Sequence, residues 1–220
     1  MMARELDARH GVAGALRFSQ SALGGVVAEL EAGGASAVVA LKGGQLLSYV
    51  AAGSASDVLW LSPAARLDAA KAVRGGIPVC WPWFGPHPHE PGWPAHGVAR
   101  TAAWQVVGSE KVGGGVRLRL GFQAGAGVTG NPGRGVGVVI EVTLGDALDV
   151  ALVTRNDGPD AIEITQALHT YLSVGDVAGV SITGLEDRDY VDQLVVPEAR
   201  MRPLVPEARM RPLVPEARMR

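Results

Sequence analysis

The sequence predicts an all-β protein built as an antiparallel sandwich, and three observations carry that prediction. Short apolar runs recur along the chain, and Gly-rich or Pro-containing stretches separate them. VRLRLGF at 116–122 alternates apolar with polar residues, the period of two that a half-buried strand requires. GVVIEVTL at 137–144 and ALDVALVTRN at 147–156 face each other across Gly145 and Asp146, as a hairpin would. Strands joined by turns favour antiparallel sheets over alternating βαβ units.

In chain order, strands are expected at VVAEL (26–30), AVVALK (37–42), QLLSYV (45–50) and DVLWL (57–61). PAARLDAAKAV at 63–73 is the one segment suited to a helix, of a turn or two, although tertiary context could equally extend it. AAWQVV (102–107), VRLRLGF and the hairpin continue the strands, and QALHTYL at 166–172 is a further apolar run expected to be one.

Length and composition narrow the class. A chain of 220 residues suits one domain, expected over residues 1–195, that buries roughly 70% of its unfolded surface. Hydrophobic residues at 47%, charged residues at 19% and a formal charge of -2 argue against disorder and against a nucleic-acid partner. No apolar run reaches the length of a membrane span, and the N-terminal MMARELDARHGVAGALRFSQ has charges where a signal peptide needs an apolar core. The single cysteine, Cys80, gives no internal disulfide framework and fits a reducing compartment. A cytoplasmic monomer without membrane partners is the expectation.

From Val196 the unit VPEARMRPL is read almost three times up to Arg220. Nine residues cannot supply a supersecondary unit, since solenoid repeats have periods of about 20 or more. Two prolines per unit forbid a long helix and remove ladder donors from a strand. Residues 196–220 are therefore expected as short helical turns or an extended tail, not an independent domain. Either a repeated coding segment has replaced what followed Leu194, or the tail is an interaction element.

The chemistry concentrates in RGGIPVCWPWFGPHPHEPGWPAHGVAR, residues 74–100, which holds two arginines, three histidines, three tryptophans and six prolines. A core has no use for so many rings with polar edges and so few backbone donors. Arg74 precedes Gly75 and Gly76, which would let the backbone approach a ligand closely, and Arg100 ends the segment. Together they could clamp a phosphate; singly, each could pair with a neighbouring carboxylate. His87, His89 and His96 have the spacing of metal ligands, but the prolines at 86, 88, 91 and 94 break the strand that would aim them together, so a metal site is the lesser reading and His87 and His89 are expected on a rim loop. His96, between Ala95 and Gly97, suits a small-molecule ligand better. His169 stands in an apolar run, where a satisfied core histidine is the ordinary reading; Asp176, Glu186, Asp187, Asp189 and Asp192 follow it and favour proton-transfer chemistry. Trp81, Trp83, Phe84 and Trp93 are either a hydrophobic cluster or indole and phenyl faces for a pyranose.

DVLWLSP (57–63), RGGIPVCWPWFGPHP (74–88), PAHGVAR (94–100), ALHTYLSVGDV (167–177) and GLEDRDYVD (184–192) resemble the hexose-6-phosphate mutarotases of the aldose 1-epimerase superfamily, over roughly residues 15–194. The resemblance implies a galactose-mutarotase-like β-supersandwich, C-terminally incomplete, with an open sugar groove. It implies an epimerase that interconverts α and β anomers of glucose 6-phosphate or a related hexose 6-phosphate by acid/base ring opening, without a cofactor. His169 corresponds to the general acid at the ring oxygen, His96 to a ligand of a hydroxyl or of that oxygen, and Arg74 and Arg100 to the arginines that select the phosphorylated sugar. Asp192 falls in a shared motif as a further binding residue. The family's general-base glutamate comes from strands beyond that motif, where this chain has its repeat; Glu198, Glu207 and Glu216 match no family position. Three readings follow: an epimerase, a catalytically impaired phosphosugar-binding protein, and a metal-dependent β-barrel using His87, His89 and His96.

Overall fold

The computed structural model describes residues 2–68, 70–87, 89–123, 135–184, 189–192 and 200–203, the last two segments by backbone alone. Two compact units result, Met1–Ser173 and Val174–Arg220.

The first unit opens with a helix, α1 (Ala3–His10), that the reading of the N-terminus as merely charged passes over. Glu5 accepts from the Met2 amide at 2.9 Å, Leu6 is buried, and Asp7 accepts from the Phe18 amide at 2.8 Å, tying the helix to the sheet beside it. That sheet is antiparallel in the order β1 (Leu16–Gln20), β2 (Val26–Ala32), β3 (Ala35–Ala40) and β4 (Gln45–Val50). A two-residue strand, β5 (Val79–Cys80), comes before a second antiparallel sheet of β6 (Gln105–Val112), β7 (Gly115–Gln123), β8 (Val136–Leu144) and β9 (Leu148–Asn156). The short β10 (Ala167–Leu168) then pairs antiparallel with β5.

The expected alternation is present where it builds the core. Val116, Leu118 and Leu120 of β7 and Val136, Val138, Ile140, Val142 and Leu144 of β8 point one way and are buried. They join Phe18, Leu30, Val39 and Leu46 of the first sheet in one cluster, which also takes in Trp81 and Trp104. At about 1.5 to 3 kcal/mol per fully buried large apolar side chain, this cluster is the main stabilising element of the unit.

Two expectations are corrected. Residues 57–61 form single bridges, Val50 with Asp57, Leu59 with Leu172 and Leu61 with Gly75, not a strand. The Asp57 carboxylate is the cause: it accepts from the amides of Tyr49 (3.0 Å) and Leu59 (2.8 Å) and from the Ser48 hydroxyl, so side chain replaces ladder. Residues 63–68 and 70–73 form turns, bends and irregular backbone, not a helix. Ala65, Leu67 and Val73 cover Val27, Ala40 and Leu47 on the other face of the first sheet, and Leu67 donates to the Leu23 carbonyl at 2.8 Å. Tertiary docking outweighs the helix propensity of the segment.

In the second unit, a short 3-10 turn spans Val177–Gly179, and β11 (Asp189–Asp192) pairs antiparallel with β12 (Arg200–Pro203). Four repeat residues are thus extended and laddered, with Pro203 at the strand end, where a missing amide costs least. The boundary expected between 195 and 196 lies outside the described residues. No helix among the described residues is long and apolar enough to cross a membrane.

Candidate active site

Three segments distant in sequence lie side by side in the first unit. β5 pairs with β10, and the ladder continues as the His169 amide donates to the Pro78 carbonyl at 3.0 Å. On the other side Trp81 bridges Gly97, and the Trp81 carbonyl accepts from Val98 at 3.0 Å. This approach needs glycine: at Gly97, with φ 75°, a Cβ would lie 2.0 Å from the Trp81 oxygen. The strand pairing carries His169, and the Gly97 turn carries His96 and Arg100, to a common cavity of about 540 Å³. Arg74, His96, Arg100, His169, Lys71 and Tyr171 all line it.

The glycine pair after Arg74 has a different purpose from the one expected. Gly75 (φ 107°) and Gly76 (φ 62°) let the chain pass its own neighbours, for a Cβ would meet the Trp60 oxygen at 2.5 Å and the Leu46 oxygen at 2.2 Å respectively.

His96 is held in a left-handed conformation, φ 65°, uncommon for a residue with a Cβ. Its amide donates to the Gly85 carbonyl at 2.8 Å, and the Gly85 amide donates to His96 Nδ1 at 3.1 Å. Neutral His96 therefore carries its proton on Nε2 and offers a donor there. Burial holds its pKa below the ordinary imidazole value, helped by the positive charge of Arg100 and by His169. The His96 and His169 rings are 6.1 Å apart at 84°, with Phe84 4.9 Å from the first and Tyr171 5.0 Å from the second. His169 Nδ1 is buried with no hydrogen-bond partner among the described residues.

The cavity is cationic. Arg17, Arg66, Arg117, Arg119 and Arg155 each pair with a carboxylate, whereas Lys71, Arg74 and Arg100 make no ion pair among the described residues. Arg100 donates from Nη2 to the Ala95 carbonyl at 2.6 Å, which orients its guanidinium. No carboxylate lines the cavity among the described residues.

The aromatic residues divide. Trp81 is fully buried, its indole N–H on Thr154 Oγ1 at 2.9 Å, and Trp83 is buried with its N–H on the Pro94 carbonyl at 3.0 Å. Both are core residues, and of the four only Phe84, 40% exposed, stands against the site histidines. His87 accepts at Nδ1 from the amides of His89 (3.2 Å) and Glu90 (3.0 Å) and packs against Trp83 and Trp93, apart from the cavity lining. Asp192 lies in β11, its side chain outside the described residues, as are Glu186, Asp187, Glu198, Glu207 and Glu216. Sequence reasoning missed Lys71 and Tyr171. Tyr171 was accessible from the period of two, which puts residues 169 and 171 of an extended segment on one side.

Comparison with known proteins agrees with this architecture. A protein of Escherichia coli K12 named "Putative glucose-6-phosphate 1-epimerase" is 37% identical over 155 residues, 70% of this chain and 50% of that protein. One of the same name from Cenchrus ciliaris is 30% identical over 174 residues, 74% and 51% of the two chains. A crystal structure described as "a putative mutarotase (YeaD)" from Salmonella typhimurium superposes with a TM-score of 0.77 at 29% identity, over 90% of this chain and 64% of that one. The fold is the all-β, galactose-mutarotase-like one. The chain spans about half the length of the curated relatives it matches. The family description Aldose 1-epimerase matches residues 27–209, which is most of the chain, and the protein belongs to that family.

Proposed function

We propose that the cavity binds a hexose 6-phosphate and that the chain promotes interconversion of its α and β anomers. One observation carries this reading: two half-buried histidines share a cavity with three cations that no described carboxylate neutralises. Arg74, Arg100 and Lys71 supply charge-assisted hydrogen bonds for a phosphate. His96, a donor at Nε2, suits a hydroxyl or the ring oxygen. His169 acts as the general acid: it protonates the ring oxygen as the C1–O5 bond breaks, while a base takes the proton of the anomeric hydroxyl. The open-chain aldehyde rotates about C1–C2 and closes on its other face, returning both protons. The names borne by the relatives support glucose 6-phosphate as the hexose.

A second reading, binding with little turnover, is favoured by the absence of a carboxylate from the described cavity lining. Loss of one partner of an acid/base pair lowers a rate by about 10² to 10⁴. NMR exchange spectroscopy on glucose 6-phosphate separates the two readings. Anomer exchange above the spontaneous rate, lost in His169→Ala, supports the epimerase; saturable binding with only spontaneous exchange supports the binding protein. Neither binding nor exchange would overturn both.

A further inference from the structure

Gln45 is 1% exposed and is the buried polar side chain of the core among the described residues. It stands at the start of β4, 30 positions from the loop it bonds. Its Nε2 donates to the Gly75 carbonyl at 2.6 Å and, more weakly, to the Val73 carbonyl at 3.5 Å. Arg74 lies between those two carbonyls. Its own carbonyl accepts from the Ser62 amide at 3.1 Å, and the Gly76 amide donates to Trp60 at 2.8 Å. An apolar residue of similar size would fill the space at lower desolvation cost, the more so because Gln45 Oε1 is buried with no partner among the described residues, so the bonds made by Nε2 alone explain the amide's presence.

We propose that Gln45 is a positioning residue that grips the backbone on both sides of Arg74 and so aims its guanidinium into the cavity. The inference rests on the phosphosugar reading and extends it to a residue outside the cavity lining. Glycines at 75 and 76 are required for the close passage; the backbone bonds to Ser62 and Trp60 hold the loop along one edge, and Gln45 holds it from the core. A displacement of about 1 Å in a charged ligand group can cost as much as 10²-fold.

The test compares the full chain with Gln45→Met, which keeps volume and removes both bonds, and with Val39→Ala, a core truncation that touches neither. Titration with glucose 6-phosphate and with glucose is read alongside amide exchange at Gly76. Gln45→Met is expected to speed Gly76 exchange and to raise the dissociation constant for glucose 6-phosphate about tenfold, with that for glucose unchanged. Val39→Ala is expected to leave the ratio of the two constants as it was. Should Gln45→Met unfold, Gln45→Leu, which is of similar volume and has no donor, is judged by the same criteria. Unchanged Gly76 exchange, or equal weakening for both sugars, overturns the role of Gln45. A wild-type chain that holds both sugars equally overturns the phosphosugar reading itself, and the selectivity assigned to Gln45 with it. A wild-type preference that survives Gln45→Met overturns Gln45 alone.

Discussion

Replacing Arg74 with alanine isolates the phosphate contribution more cleanly than replacing Arg100. Arg100 also donates to the Ala95 carbonyl at 2.6 Å, so its removal loosens the turn that carries His96. Arg74 makes no side-chain bond among the described residues and is exposed, so its truncation leaves the fold intact. A hydrogen bond to a charged group is worth about 1.5 to 3 kcal/mol. Solvent screening at an exposed guanidinium brings the expected loss to about 1 to 2 kcal/mol, or roughly 5- to 30-fold in affinity. Calorimetric titration of wild type and Arg74→Ala with glucose 6-phosphate and with glucose measures it. The phosphorylated sugar should lose that factor and the free sugar should not. The difference should shrink as salt is raised, because the Debye length falls from about 10 Å at 0.1 M to about 3 Å at 1 M. An equal loss for both sugars would refute the clamp, as would a loss indifferent to salt.

Other outcomes follow from the same geometry. His169→Ala should reduce anomer exchange to the spontaneous rate while leaving glucose 6-phosphate affinity within about tenfold, since an acid at the ring oxygen matters most as charge develops there. Burial holds the His96 pKa below its unfolded value of about 6.5, so its contribution to stability is complete above pH 6.5 and is lost as pH falls through the folded-state pKa. Melting temperature should therefore fall between about pH 7.5 and about pH 5.5, and by less in His96→Asn, whose side chain tolerates the positive φ; an equal fall in both would remove His96 as the cause. Gly97→Ala should destabilise the unit by about 3 kcal/mol, read by chemical denaturation, because the added Cβ meets the Trp81 oxygen at 2.0 Å in a positive-φ backbone.

The sheets were legible because their information is local. β2, β3, β4, β7, β8 and β9 overlap the apolar runs that announce them, and the hairpin between β8 and β9 forms where two such runs meet. Arg74, His96, Arg100 and His169 were legible by chemical type, and the structure gathers all four around one cavity. What escaped depends on partners far along the chain. Asp57 reads as one more residue of an apolar run until its carboxylate is seen capping the amides of Tyr49 and Leu59. Trp81 and Trp83 look like a sugar platform in a row of rings, yet their N–H groups find Thr154 and Pro94 inside the fold. Gln45 carries no local sign of its bond to Gly75, because the pairing exists only once β4 and the Arg74 loop have met. The helix at Ala3–His10 depends likewise on Leu6 and Asp7 docking against the first strand, more than on its own eight residues.

The central claim is that this cavity, and not the nearby histidine-rich loop, receives a phosphorylated hexose. Ring-nitrogen NMR of the histidines in the full chain, titrated with glucose 6-phosphate, addresses it directly. Saturable shifts are expected at His96 and His169, with His87 and His89 unmoved. Shifts confined to His87 and His89, or no saturable shift at His96 and His169, would contradict it.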